Sequence, residues 1–491
     1  MKPRNLLVSL TLLATQAYAQ MPQAVPVTPK ETPPTSAPDA APGTLPPPAS
    51  ILPPPPPPMP LPKISTRQEE QVRAWLAQGP NEGLGISSAQ QRTDLAALSG
   101  DALVRAALDR ARALKTGRLA TQDYLSIWAL RPAAWDPQAD FTAAAASNRL
   151  PGFFNDLSPP YAGYDGLKQG LETYQAIRAK GGWPILAASS KPGAVIARIQ
   201  IEDPGASGSL VDVLQRTQKR YGLNPTGRLD ANTLAALNVP VGDRVAAIMA
   251  NMERWRWLPR ELPTHRVQVN IAAAVLTVFE GDRPVTSMRA VTGRPGNETP
   301  MLQSSIHSVV VNPPWNVPSS IATKELWPKG RAAILAKGFK IVGTPPNERL
   351  VQPAGPTSAL GRLKFDFDNP FAVYLHDTPS RGKFDSFDRL DSHGCVRLQK
   401  PVDLAELMLK DDPKLSGQVQ AMIDTGKTQR VALPERVAVY LLYWTAFANA
   451  NGTLGFRDDP YNWDKLLAGK IAASSKRAET ATAVAMNRVG Q

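Results

Sequence analysis

Apolar and polar positions change rhythm near residue 265. Before it, apolar residues recur at helical spacing. LAALSGDALVRAALDRARALKTGRLATQDYLSIWAL carries such a face, punctuated by Gly100 and Gly117. LSPPYAGYDGLKQGLETYQAIRAKGGWPIL adds a further helix between a proline-rich turn and Gly181-Gly182. These stretches predict a helical scaffold domain over residues 64–187. In 205–246, a helix bearing Leu210, Leu214 and Tyr221 is followed by the turn Asn224-Pro225-Thr226-Gly227. Asp230 is placed to cap a second helix, because its carboxylate can accept a free first-turn N–H.

From His265 the period shortens to two. RVQVNI alternates as a half-buried strand does, and VLTVFEGDRPVTSMRAVTG reads as two strands joined at Gly281-Asp282. SSIHSVVVNPPWNVP adds a strand, and FAVYLHDT is a strand ending at His376. PVDLAELML begins a helix at Pro401. RVAVYLLYWTAFANANGTLGFRDDPY predicts a hairpin turning near Asn451-Gly452. The pattern predicts a mainly β domain over 264–433, a C-terminal hairpin and helix over 434–470, and a mobile tail over 471–491. Residues 321–368, rich in turn formers and holding Trp327 and Phe339, read as a lid-like insertion over a groove. The fold class is therefore multidomain α+β: helical domains first, then a mainly β domain with a lid-like insertion.

The N-terminus adds an address. MKPRNLLVSLTLLATQAYAQ has a positive start, a short apolar core and small residues at Ala17 and Ala19. This is the secretory pattern, with residues 1–19 as a signal peptide cleaved before Gln20. Export to the periplasm is the expectation, with membrane attachment only if the signal stays uncleaved. Residues 20–63 form a proline-rich tether, since proline lacks the N–H that helix and sheet require. Net charge is +13 over 491 residues, favouring anionic partners. Export argues against nucleic acid.

Cys395 is the single cysteine of the chain. It stands in DSHGCVRL, with His393 close before it and His376 nineteen positions upstream. A free cysteine can be a small buried hydrophobe. Here Ser392, His393, Gly394 and Arg397 are poor core lining, which points to a nucleophile. An imidazole can take its proton and raise the thiolate population. Gly394 gives the turn freedom to aim backbone N–H groups at an oxyanion. A zinc site would need more ligands than one cysteine and two histidines supply, so no metal or cofactor is expected.

YLHDTP at 374–379 and SHGCVRL at 392–398 resemble the active-site signature of L,D-transpeptidases, bacterial wall enzymes that join peptidoglycan stem peptides. The resemblance extends through LSPPYAGYDGLKQGLETYQAIRAKGGW, VVVNPPWNVP and YLLYWTAF…FRDDPY to the large multidomain periplasmic members. LQ…Q…YGL…P.G.LD..TL.ALN resembles their three-helix peptidoglycan-binding domain, although Thr217 stands where many members carry an aromatic. That region either contacts glycan strands or only braces its neighbours.

The resemblance implies Cys395 as nucleophile and His376 as general base, oriented by the backbone carbonyl of Asp377. His393 and Gly394, with the Cys395 N–H, would shape the oxyanion site. Tyr374, Ser392 and Arg397 would line the substrate groove, Arg397 serving either a stem carboxylate or a structural ion pair. The implied reaction is 3→3 cross-linking through a thioester, with loss of terminal D-alanine from a tetrapeptide donor and a diaminopimelate amine as acceptor. The same thioester resolved by water, a lipoprotein lysine or a free D-amino acid would give a different outcome. A non-catalytic wall-binding scaffold is the other alternative. Carbapenems, which resemble the acyl donor, would label Cys395.

Overall fold

The computed structural model describes residues 60–84, 94–449 and 451–489. The expected signal peptide and almost all of the proline-rich stretch lie outside them.

Helix α1 (Thr66–Ala77) starts with a reciprocal cap: the Ser65 hydroxyl accepts from the Gln68 N–H, and the Gln68 side chain accepts from the Ser65 N–H. Helix α2 (Gly100–Thr116) buries Leu103, Val104, Ala107, Leu108, Ala111 and Leu114, the apolar stripe its spacing predicts. With α3 (Pro137–Ala146) and α4 (Leu150–Asn155) they enclose a separate core drawn from residues 72–157.

Helix α5 (Ala162–Ala179) departs from the expected single helical unit over 64–187. Its Tyr164, Leu167, Leu171 and Tyr174 are buried in the large core shared with the sheet. Periodicity reveals an apolar face but not which body covers it. Helices α6 (Pro192–Glu202), α7 (Leu210–Arg220), α8 (Ala231–Leu237) and α9 (Val241–Trp255) follow. Asp230 caps α8, accepting from the Thr233 N–H at 2.8 Å. Helix α9 runs past residue 246 and stacks Trp255 on Trp444 at 4.6 Å between ring centres.

The β domain is built from β1 (His265–Asn270), β2 (Val275–Glu280), β3 (Arg283–Gly293) and β4 (Leu302–Val311). After the insertion come β8 (Leu363–Phe367), β9 (Leu375–His376), β10 (Leu390–Ser392), β11 (Val396–Leu398) and β12 (Gln429–Leu442). The order is β10-β3-β11-β9-β8-β4-β12-β1-β2, and β3 also pairs with β2, so the sheet closes on itself. Closure removes the open edges that a free sheet would present.

Three boundaries differ from expectation. Strand β12 crosses the expected break at 433/434 and lies between β4 and β1, so the C-terminal hairpin shrinks to β13 (Ala446–Ala448) and β14 (Leu454–Phe456). The insertion is also shorter than 321–368, because β8 is a strand of the main sheet. Its own sheet has the order β5-β7-β6, made of Trp315–Asn316 (β5), Lys340–Val342 (β6) and Arg349–Gln352 (β7). These strands and helix α10 (Arg331–Ala336) surround a small core of Val317, Ala322, Leu326, Ile334, Phe339 and Leu350. After α11 (Pro401–Leu409) and α12 (Val419–Asp424), helix α13 runs Trp463–Val489 through the expected mobile tail. Its start is fixed by Asp459, which accepts from the N–H groups of Trp463 and Asp464. No described helix is long and apolar enough to cross a membrane.

Candidate active site

Strand register assembles the site. β9 and β11 pair in parallel, with Leu375 opposite Val396 and His376 opposite Arg397. The Val396 N–H donates to the Tyr374 carbonyl at 3.1 Å, extending the ladder one residue upstream. Side chains two apart share a face, so Tyr374 and His376 stand beside Cys395 and Arg397. β8 adds Lys364 opposite His376. One row across three strands is therefore Lys364, His376, Arg397, and the next row holds Tyr374 and Cys395. Tyr374 and His376 rings sit 5.6 Å apart, and the Lys364 ammonium lies 4.4 Å from the Tyr374 ring centre. The sequence gap of nineteen residues becomes a diagonal neighbour across two strands, a separation of about 7–8 Å at Cα.

His376 is buried, and its Nδ1 lies 2.5 Å from the Asp377 carbonyl oxygen. Only an Nδ1–H can donate there, so the neutral ring presents its lone pair at Nε2. Burial, with Arg397 and then Lys364 on either side, outweighs that hydrogen bond and pushes His376 down to about 3. Cys395 is half-buried, its Sγ 4.0 Å from the Ala372 carbonyl oxygen. Burial pushes its thiol up, while Tyr374, Lys364 and Arg397 act in the opposite direction. Both shifts favour the neutral thiol and imidazole over a resting thiolate–imidazolium pair.

A turn holds the thiol in place. The Ser392 hydroxyl donates to the Cys395 carbonyl at 2.6 Å and accepts from the Gly394 N–H at 3.1 Å. Gly394 has φ +113°, which L side chains rarely adopt. Thr299 ties the turn to β3, donating to the Gly394 carbonyl at 2.8 Å and accepting from the Gly293 N–H at 2.9 Å. Tyr461 locks that link, accepting from the Thr299 N–H and donating to the Gly293 carbonyl at 2.5 Å. On the other side, Asn369 accepts from the N–H groups of Phe371 and Val373, bracketing Ala372 at φ +52° beside the thiol.

Several sequence expectations change. Ser392 is 1% exposed and builds the turn, so it does not line a groove. The Gly394 N–H, expected to help shape an oxyanion site, is spent on Ser392, whereas the Cys395 N–H makes no hydrogen bond among the described residues. The His393 side chain turns away to Glu325 of the insertion, Nε2 to Oε1 2.6 Å, with Arg294 3.2 Å from the same nitrogen. Tyr374 and Arg397 remain half-buried beside the thiol, and Asp391 is the acid that acts on Arg397. The Asp377 side chain accepts from the Arg362 N–H at 2.8 Å and pairs with Arg381 at 3.1 Å, a clamp separate from its carbonyl. A Cβ at Gly361 would meet that carboxylate at 2.4 Å, so the clamp requires glycine there.

Sequence reasoning missed Thr299, Asn369, Lys364 and Glu325, ordinary polar residues far along the chain. Tyr461 lay in the FRDDPY stretch that carried the resemblance, but its partner could not be read from it. Among the described residues, no group of three or more His, Cys, Asp or Glu side chains could hold a metal.

Residues 264–419 match the family model for the L,D-transpeptidase catalytic domain. Residues 66–171 match the scaffold domain, and 206–237 the "Putative peptidoglycan binding domain". A Haemophilus influenzae protein named "Putative L,D-transpeptidase" is 31% identical over 217 residues, 40% of this chain and 44% of that relative. The chain thus spans less than half the length of this curated relative. L,D-transpeptidase 3 of Mycobacterium tuberculosis, solved with a faropenem-derived adduct, shares 13% identity over 37% of this chain and 61% of its own, at a TM-score of 0.20. An L,D-transpeptidase of Xylanimonas cellulosilytica shares 15% over 53% of this chain and 97% of its own, at 0.19. Residues 264–419 are thus similar to L,D-transpeptidase catalytic domains, with matches to a scaffold domain and a peptidoglycan-binding domain ahead of them.

Proposed function

We propose that the protein is an exported, cysteine-dependent L,D-transpeptidase that forms 3→3 cross-links between peptidoglycan stems. The observation that carries the mechanism is the row of Lys364, His376 and Arg397 beside Cys395, with His376 Nδ1 tied to the Asp377 carbonyl. This supports a neutral imidazole whose Nε2 accepts the thiol proton as Cys395 attacks the carbonyl of the third stem residue. The tetrahedral oxyanion is met by the Cys395 N–H. The protonated His376 then returns its proton to the departing terminal D-alanine amine, leaving a thioester.

In the second half, the side-chain amine of a diaminopimelate on another stem attacks the thioester. His376 takes the proton from that amine, and the thiol is restored. One amide is exchanged for another, so the bond energy is kept in the thioester and no nucleotide is consumed. Lys364 and Arg397 also offer positive charge to stem carboxylates. Water, a lipoprotein lysine or a free D-amino acid would resolve the same intermediate with different products.

The test is mass measurement of the purified protein after exposure to a tetrapeptide donor without acceptor. The expected adduct is on Cys395, with release of D-alanine, and is missing in Cys395→Ala. Adding an acceptor stem should convert it to a 3→3 dimer. Dimer formation by Cys395→Ala at the parent rate would overturn the mechanism.

A further inference from the structure

A cleft of about 1210 Å³ lies between the C-terminal end of α7 and the β2–β3 hairpin of the catalytic domain, and Cys395 does not line it. Its walls carry Arg216, Lys219 and Arg220 from α7, and Arg289, Arg389 and Lys400 from the catalytic domain. The acids in the same lining are Asp203, Asp388 and Asp458. Arg216 pairs with Asp203 and Arg289 with Asp385, so the surplus of positive charge rests on Lys219, Lys400 and Arg389. Arg389 spends its guanidinium on the carbonyl oxygens of Ser386 and Ala273, with Asp388 as the nearby acid.

Arg220 is more than nine-tenths buried at the base of this wall. Its Nη2 shares the Glu202 carboxylate with Arg198, so two guanidiniums meet one acid. The Nε and Nη1 of Arg220 have no hydrogen-bond partner among the described residues.

The remaining lining narrows the ligand. Gln399, Asn449 and Asn451 present carboxamides, while Val285 and Phe387 are exposed apolar side chains. That mixture suits a chain carrying carboxylates, amides and apolar faces, and is less suited to a phosphate polymer. Gln399 and Lys400 follow the end of β11, while Cys395 precedes its start. Four residues of strand span about 13 Å, so a ligand in the cleft lies a short step along the strands from the reacting thiol.

We propose that this cleft is a second substrate site, holding a carboxylate-bearing glycopeptide segment of peptidoglycan that does not react, while a neighbouring stem reaches Cys395. The identity of the polymer rests on the function proposed above. Lys219 and Lys400 are exposed, so Lys219→Glu with Lys400→Glu reverses charge without opening a core.

Co-sedimentation of the full chain with purified peptidoglycan tests it, in a Cys395→Ala background that prevents turnover. The charge-reversed pair should bind at least tenfold more weakly, and the milder Lys219→Gln/Lys400→Gln pair by an intermediate amount. Amidating the wall carboxylates with carbodiimide should weaken the parent to the level of the charge-reversed pair. Equal binding of parent and charge-reversed protein to intact wall, with unchanged thermal melting, would overturn the site. Equal binding of the parent to amidated wall would overturn its carboxylate chemistry. With Cys395 restored, acylation by a small soluble tetrapeptide should be the same in parent and pair. If no protein is acylated, the proposed function fails, while the sedimentation arms still report on the cleft.

Discussion

The row on β8, β9 and β11 and the insertion approach the same cysteine by opposite physical means. The row lies in a closed sheet, with His376 buried and Lys364 and Arg397 half-buried, and its side-chain positions are set by register. The insertion has a small core of its own and meets the site through Glu325, which contacts His393 and Arg294. In the first, low dielectric decides protonation. In the second, partly exposed groups supply a modest attachment that substrate could exchange. Chemistry is thus placed on the rigid element, and the adjustable contact on the satellite.

The largest effect that would break this comparison comes from the thiol. Cys395→Ala should abolish acyl-enzyme formation altogether, with melting close to the parent. An acylated Cys395→Ala protein would move the chemistry elsewhere. His376→Gln comes next. Removing a general base costs about 10²–10⁴-fold, so single-turnover acylation should fall by that order while thiol alkylation persists. A loss under tenfold would mean that His376 is not the base.

Acid stability sharpens the role of burial. Folded His376 stays neutral down to about 3, while the unfolded ring protonates near its ordinary value of about 6.5. Between those values the unfolded chain binds the extra proton, so stability falls as pH falls. This one group contributes a slope of up to about 1.4 kcal/mol per pH unit. Denaturant titrations of parent and His376→Gln at pH 6.5 and 4.5 should show a smaller drop in the variant. Equal drops would mean that the ring is solvated in the native state.

The smallest effect belongs to the insertion. Glu325→Gln removes the charge that meets His393 and Arg294, both partly exposed. Such pairs contribute about 0–1 kcal/mol. The expected result is a rise in KM for the donor of a few-fold with kcat nearly unchanged. A large fall in kcat instead would place Glu325 within the reacting machinery. His393 holds Glu325 below its ordinary value, so the carboxylate is charged throughout neutral pH, and its contact weakens only as pH falls through that lowered value.

Individual residues show where the sequence was legible. The change of period near 265 separates helical from β sections because side-chain spacing is local. Asp230 before an apolar run marked a helix start that α8 bears out. By contrast, β12 runs across the expected 433/434 boundary, and α5, whose first half falls in the matched scaffold domain, also packs into the core shared with the sheet. Their amphipathic patterns are satisfied equally by any complementary surface, and only the packed chain selects one. Ser392 was expected in the groove from the resemblance alone; its burial follows from the turn at Gly394, where its hydroxyl bonds the Cys395 carbonyl and the Gly394 N–H.

By itself, the sequence determined the types of element, the lone thiol with a histidine at a strand end, and the signature that carries the family resemblance. Those are properties of composition and short-range order. Tertiary structure alone decided that Lys364 and Arg397 flank His376, that Thr299 and Tyr461 hold the nucleophile turn, and that His393 serves the insertion. Each depends on strand register or on contact between residues as far apart as 299 and 461. Such pairings are fixed only when the sheet closes, because a shift of one residue would send every side chain in the row to the opposite face.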